Sequence, residues 1–210
     1  MTGPAIAHTR PPGRPPDQPD RPGRPDRPAG PDPEPELAPW LAERLYQRRI
    51  VFLRGHLDAR AAGTAAATLL SLDGPDGDPV QLHLAAPDGE LDAVLALIDT
   101  IDSLQVPVHA VATSEVGGAA VGAYAAAARR LALPHARFRL AEPRVAGIAG
   151  TADDVTAAAG HHLRALEDLL VRVAGATGQP RSRVEDDFGR GRVLDAEQAQ
   201  EYGLVHEIRR

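Results

Sequence analysis

From Leu37 onward the chain alternates short apolar runs with segments of helical spacing, and this order restricts it to a largely parallel sheet covered by helices. Ile50-Val51-Phe52-Leu53 is a continuous apolar run of the kind a buried strand needs. Val80–Leu84 and Val108–Thr113 repeat the pattern, and shorter strand-like segments follow at Leu131–Leu133, Phe138–Ala141 and Leu204–Ile208. Between them, helices are predicted over Pro39–Arg48, over Asp58–Leu72 with Asp58 as N-cap, and over Leu91–Leu104. Further helices are predicted over Ala152–Ala174, near Arg183–Asp187 and over Ala196–Tyr202. Ala85–Gly89 reads as a loop. The segment Val116–Ala123 opens a helix so rich in Gly and Ala that a neighbour must pack closely against it. The fold class is α/β.

The first 36 residues obey different rules. They hold 12 of the 20 prolines, with five Arg against six acidic residues, and have almost nothing apolar to bury. An extended, solvated, disordered tail is expected over 1–36, and a single folded domain over 37–210. All 23 basic residues are Arg, the net charge is −6, and no basic cluster lies outside the tail, which argues against a nucleic-acid partner. With no cysteine, disulfides, thiolate metal sites and a cysteine nucleophile are excluded together. No apolar run reaches the roughly 18 residues a membrane span needs, and the N-terminus lacks a secretory layout, so a cytoplasmic protein with no membrane partner is expected.

Few residues offer site chemistry. Only Ser71, Ser103, Ser114 and Ser182 carry a serine hydroxyl. His161 and His162 are adjacent in a predicted helix and point about 100° apart, unlike the i, i+4 pair that a metal site uses, so no metal and no cofactor is predicted. Gly117-Gly118 and Gly122 depart from the Gly-x-Gly-x-x-Gly order of a dinucleotide site, and they follow the third strand rather than the first.

Read together, the segments from Leu41 to Ile208 resemble the Clp protease proteolytic subunit (ClpP) family. Arg48–Gly55 is similar to the family's first strand, and Ala86-Pro87-Asp88-Gly89 stands where the family has Ser-Pro-Gly-Gly. Val116–Ala123 is similar to the nucleophile segment, Ala136–Pro143 to the strand that ends in His-Gln-Pro, and Arg192–Val205 to the closing signature. The resemblance implies a ClpP/crotonase-like ββα-superhelix. It also implies a handle over about 144–175, where Leu163, Leu166, Leu169, Leu170 and Val173 would serve a ring interface or packing on the sheet.

The family uses a Ser-His-Asp triad. The resemblance places Ala120 at the nucleophile and Ala141 at the base, and it leaves Asp187 alone at the retained aspartate position. Asp88, Gly89 and Val121 fall in the oxyanion region, where the Asp88 carboxylate would oppose developing negative charge. The resemblance implies an AAA+ unfoldase as a partner and places Gln81, His83 and Ser103 at its docking pocket, where they replace the aromatics that would anchor its hydrophobic loops.

The function expected is therefore a ClpP-like subunit of an ATP-dependent Clp protease complex, catalytically inactive, assembling with other ClpP-like subunits in heptameric double rings beside an active paralogue. Two alternatives stand beside it. One is a crotonase-like acyl-CoA-binding protein, using backbone N–H donors near Ala119–Gly122. The other is a serine peptidase acting through Ser114.

Overall fold

The computed structural model describes residues 38–74, 77–143 and 150–210. The predicted tail over 1–36 and the first part of the handle, 144–149, lie outside the described residues. Residues Glu36–Arg210 form one compact unit.

Its main sheet is parallel throughout, in the order β1 (Ile50–Leu57), β2 (Val80–Gly89), β3 (Val108–Ala112), β5 (Arg129–Ala132), β8 (Glu207–Ile208). A second sheet pairs β4 (Glu115–Gly117) in parallel with β6 (Arg137–Leu140), and β6 antiparallel with β7 (Arg192–Asp195). The helices are α1 (Pro39–Gln47), α2 (Ala59–Leu72), α3 (Leu91–Ser103), α4 (Ala120–Ala125), α5 (Ala152–Thr177), α6 (Arg181–Gly189) and α7 (Ala196–Glu201).

Local chemistry starts three of these helices, and at α2 it does so with the cap expected from the sequence. Asp58 caps α2 by accepting the Ala61 N–H at 2.8 Å. Thr151 with Asp154, and Asp195 with Gln198, form reciprocal capping boxes at α5 and α7. In β2 the alternation is clear: Val80, Leu82, Leu84 and Ala86 are fully buried, while Gln81, His83 and Ala85 are half-buried on the other face.

Three readings of the sequence are corrected. Ala85–Gly89 is not a loop, because β2 continues to Gly89 through a bulged register with β1. Val116 and Gly117 belong to strand β4, and the helix begins only at Ala120, since pairing with β6 satisfies a backbone too glycine-rich to sustain a helix there. Strand β7 was not foreseen: Arg192–Asp195 is short, and its assignment comes from pairing with β6 rather than from an apolar run.

The expected close packing at the small-residue segment is present. Every residue of α4 is buried, and a side chain at Gly122 would overlap the Leu169 methyl of α5 and approach Ile98 of α3. Tyr124 of α4 tilts against Phe138 of β6 at 5.0 Å and donates its hydroxyl to Leu131 O at 2.9 Å. Burial raises the Tyr124 phenol above its ordinary pKa, with Arg130 opposing.

The C-terminal strand is held by a buried arginine. Arg130 donates to the carbonyls of Leu204 at 2.8 Å and Ala176 at 2.7 Å. Its backbone N–H meets His206 Nδ1 at 3.1 Å, while its guanidinium stands 2.8 Å from His206 Nε2. Both ring nitrogens thus meet Arg130 donors; the neutral ring accepts from one of them, and a protonated ring could accept from neither. Burial first, then Arg130 and Arg129, holds the His206 pKa below its usual 6.5. A depressed histidine pKa favours the neutral ring in the folded state, so this stability is complete above about pH 6.5 and is lost as pH falls below it. His83 and His109 are shifted in the same direction, burial leading in both. Urea unfolding between pH 7.5 and 5 should show falling stability, with a shallower slope in His206→Asn; an unchanged slope would remove His206 from this account.

Candidate functional site

The junction between the two sheets gathers the residues of interest. Strand β4 runs so close to the end of β2 that a side chain at Gly117 would overlap Pro87 O, and one at Gly118 would overlap Asp88 Oδ1. Gly118 has φ +54°, a left-handed conformation that glycine adopts without strain. These glycines therefore make room for the Pro87–Asp88 segment. Arg139 of β6 secures it by donating to Pro87 O and, at 3.0 Å, to Glu115 of β4.

The Asp88 carboxylate turns inward at this point. It is half-buried, and its Oδ1 accepts the Gly89 N–H at 2.9 Å while facing Gly118. Directly along the chain, Ala120 and Val121 are fully buried at the start of α4. The Val121 N–H bonds Gly118 O at 3.3 Å, and the Gly122 N–H bonds Ala119 O at 2.8 Å. The Val121 and Gly122 N–H groups are thus engaged within the turn, the Gly89 N–H is taken by Asp88, and a carboxylate lies beside them.

Asp187 of α6 is only 7% exposed. It accepts Arg192 Nη1 at 3.1 and 3.2 Å and the Tyr202 hydroxyl at 2.9 Å. Arg183 stands 4.0 Å away, and the guanidinium groups of Arg183 and Arg192 lie over the Tyr202 ring at 5.4 and 5.5 Å. Burial, and then the bond to Asp187, pushes the Tyr202 phenol above its ordinary pKa. Among the described residues no imidazole takes part in this network. Ala141 is half-buried just beyond β6, and it supplies no polar side-chain atom.

The other predicted residues separate. Gln81 and His83 lie side by side on β2, with His83 Nε2 at 3.3 Å from Gln81 Oε1. Ser103 is exposed at the end of α3, where its hydroxyl donates to Thr100 O at 2.8 Å, and no hydrogen bond joins it to Gln81 or His83 among the described residues. Ser114 is exposed in the turn from β3 to β4 and makes no side-chain hydrogen bond among the described residues. That arrangement gives no support to a nucleophile activated by a base.

Sequence reasoning missed Arg139, Arg192 and Tyr202. The alternation Arg137-Phe138-Arg139-Leu140 was the available signal for an arginine on the face opposite the core. The partners of Asp187 had no such signal, because Tyr202 lies 15 residues away and meets it only through the packing of α7.

Among the described residues there is no group of three or more His, Cys, Asp or Glu that could hold a metal ion, and no helix is long and apolar enough to cross a membrane. A parallel main sheet, a small second sheet and a glycine turn leading into a short buried helix define a Clp-type α/β domain. The family described as Clp protease matches residues 36–210. The chain belongs to that family.

Asp187→Ala should leave the Tyr202 hydroxyl and Arg192 without their acceptor, costing about 1–3 kcal/mol. Asp187→Asn should cost less. Chemical denaturation checks this, and equal stability of all three proteins would refute a structural role for Asp187.

Proposed function

We propose that this chain is a catalytically vacant Clp-protease-type subunit that assembles with other subunits of its kind, an active paralogue among them. The observation that carries this reading is the Asp88 carboxylate bonded to the Gly89 N–H beside Gly118 and the buried Ala120. A site that must stabilise an oxyanion is here furnished with an anion of its own. Ala120 and Ala141 stand at the nucleophile and base positions, so neither a hydroxyl to attack nor an imidazole to take its proton is present. Loss of the triad groups costs on the order of a millionfold in serine proteases generally. In this reading Asp187 persists for the Arg192 and Tyr202 bonds rather than for catalysis.

Support for assembly comes from α5. Leu169, Leu170 and Val173 in its C-terminal half are buried against the domain, and Leu166 is half-buried. From Ala152 to Arg164 no residue is buried, and Leu163 and Val155 are 65% and 42% exposed. A helix of about a dozen residues is marginal in water without packing, so this half calls for a partner surface. The handle interface implied by the family fits that need. Docking of an unfoldase through large apolar contacts is not part of the proposal, because Gln81 and His83 are polar and Ser103 stands apart from them.

The purified protein should take no label from a fluorophosphonate probe, and it should comigrate with an active Clp subunit on native mass analysis. Labelling that disappears in Ser114→Ala would replace this reading with the serine-peptidase one. Leu163→Asp with Val155→Asp should abolish assembly while leaving the domain folded, with no loss of helical circular dichroism beyond that of Ala152–Arg164. A third test concerns the carboxylate. Ala120→Ser with Ala141→His should leave peptide-ester hydrolysis at background, and adding Asp88→Gly should raise it by about a hundredfold, the scale of one oxyanion donor. Full activity of the double variant would show that Asp88 does not block the site.

A further inference from the structure

The half-buried face of the main sheet carries an unusual set of side chains. Gln81 and His83 share it on β2, and the parallel register sets Ile50 and Phe52 of β1 beside them on one side, His109 and the buried Val111 of β3 on the other. Arg129 of β5 follows His109, and Glu207 of β8 follows Leu131. The His83 ring lies 4.8 Å from the Phe52 ring, over which the Arg54 guanidinium stacks at 5.1 Å. Arg129 is paired with Glu207 at 2.5 Å. Arg54 and Arg209 have no carboxylate partner among the described residues, and Arg209 acts on both His83 and His109 through its charge. At the N-terminal ends of the strands, a groove of about 410 Å³ is lined by Arg48, Arg49, Asp78, Gln81 and His109, among others.

Arg54, Arg129 and Arg209 against Glu207 leave this face with more positive than negative groups, on a chain whose net charge is −6. An apolar ligand would strip water from imidazole and amide groups without replacing their hydrogen bonds. Carboxylates would replace them.

We propose that this sheet face docks an acidic peptide segment of a partner protein, with carboxylates seated against Arg54, Arg209, His83 and His109. The inference goes beyond the assembly reading and does not depend on it, because it concerns a different surface. Burial first and then arginine charge holds both imidazoles below their ordinary pKa, Arg209 acting on His83, and Arg129 and Arg209 on His109. A docked carboxylate opposes the arginine part of that shift. The complex therefore binds protons that the free protein does not, and affinity rises as pH falls through the range just below 6.5. The other charged groups on this face or in the adjoining groove are Arg54 of β1, stacked on Phe52; Arg48, Arg49 and Asp78, which line the groove with His109; and Glu207 of β8, paired with Arg129.

The test uses the full chain and a fluorescein-labelled decapeptide alternating Glu and Gly, with Gln-Gly and Leu-Gly peptides as controls, read by anisotropy at low salt. The Glu peptide should bind at least about tenfold more tightly than either control, and about fivefold more tightly at pH 5.5 than at pH 7.5. Arg209→Gln should weaken it about tenfold. His83→Gln with His109→Gln should remove the pH response, whereas Arg21→Gln with Arg24→Gln in the N-terminal segment should change nothing. Equal binding of the Gln or Leu peptide, a pH response that survives the double histidine variant, or loss of binding on changing Arg21 and Arg24 would each overturn the proposal. Absence of any binding to a protein with native circular dichroism would overturn it as well.

Discussion

The structure depends on one close approach, that of the Gly117-Gly118 turn to the Pro87–Asp88 end of β2. Backbone lies against backbone there, and any side chain at either glycine would collide with Pro87 O or Asp88 Oδ1. This contact brings the second sheet against the first and directs the chain into α4, whose six residues are all buried. The contact is repeated one layer further in, where Gly122 admits Leu169 of the long helix. Small residues thus set the spacing between the sheets and then between α4 and α5, so that side-chain volume at three glycines controls where the helix layer sits.

The same approach governs the electrostatics of the site. With β4 so near, the half-buried carboxylate at position 88 lies over a glycine, and it finds a donor in the next peptide N–H. Asp187 illustrates the complementary case. A buried carboxylate needs partners, and Arg192 and Tyr202 supply them without an imidazole. Ala120 is itself part of the core, fully buried with Val121, Ala123 and Tyr124, so the residues at the site take part in packing rather than standing apart from it.

Two exposed features differ in their physics. The N-terminal half of α5 is an uncovered helix whose apolar residues gain by burial, and such contacts respond little to salt. The sheet face with His83, His109 and Arg209 is charged and half-solvated, so any contact made through it is screened within about 8 Å at physiological ionic strength. The two surfaces are opposite in character, one apolar and one charged.

Much of the architecture was legible in the chain. The runs at Ile50, Val80 and Val108, the cap at Asp58 and the spacing of Leu91 to Ile101 are local signals, and local signals survive into the fold. The absence of serine at 120 and of histidine at 141 is also a matter of sequence alone, once the surrounding segments are placed. Strands β4 and β7 were not legible, because each is short and exists only through its pairing with β6. Nor could the sequence tell that Asp88 turns onto Gly118, that Asp187 is satisfied by Tyr202, or that His83 and His109 share a face with Arg209. Which elements form follows from side chains a few residues apart. Which charges meet is decided by segments far apart in the chain, and only the packed tertiary structure brings those together.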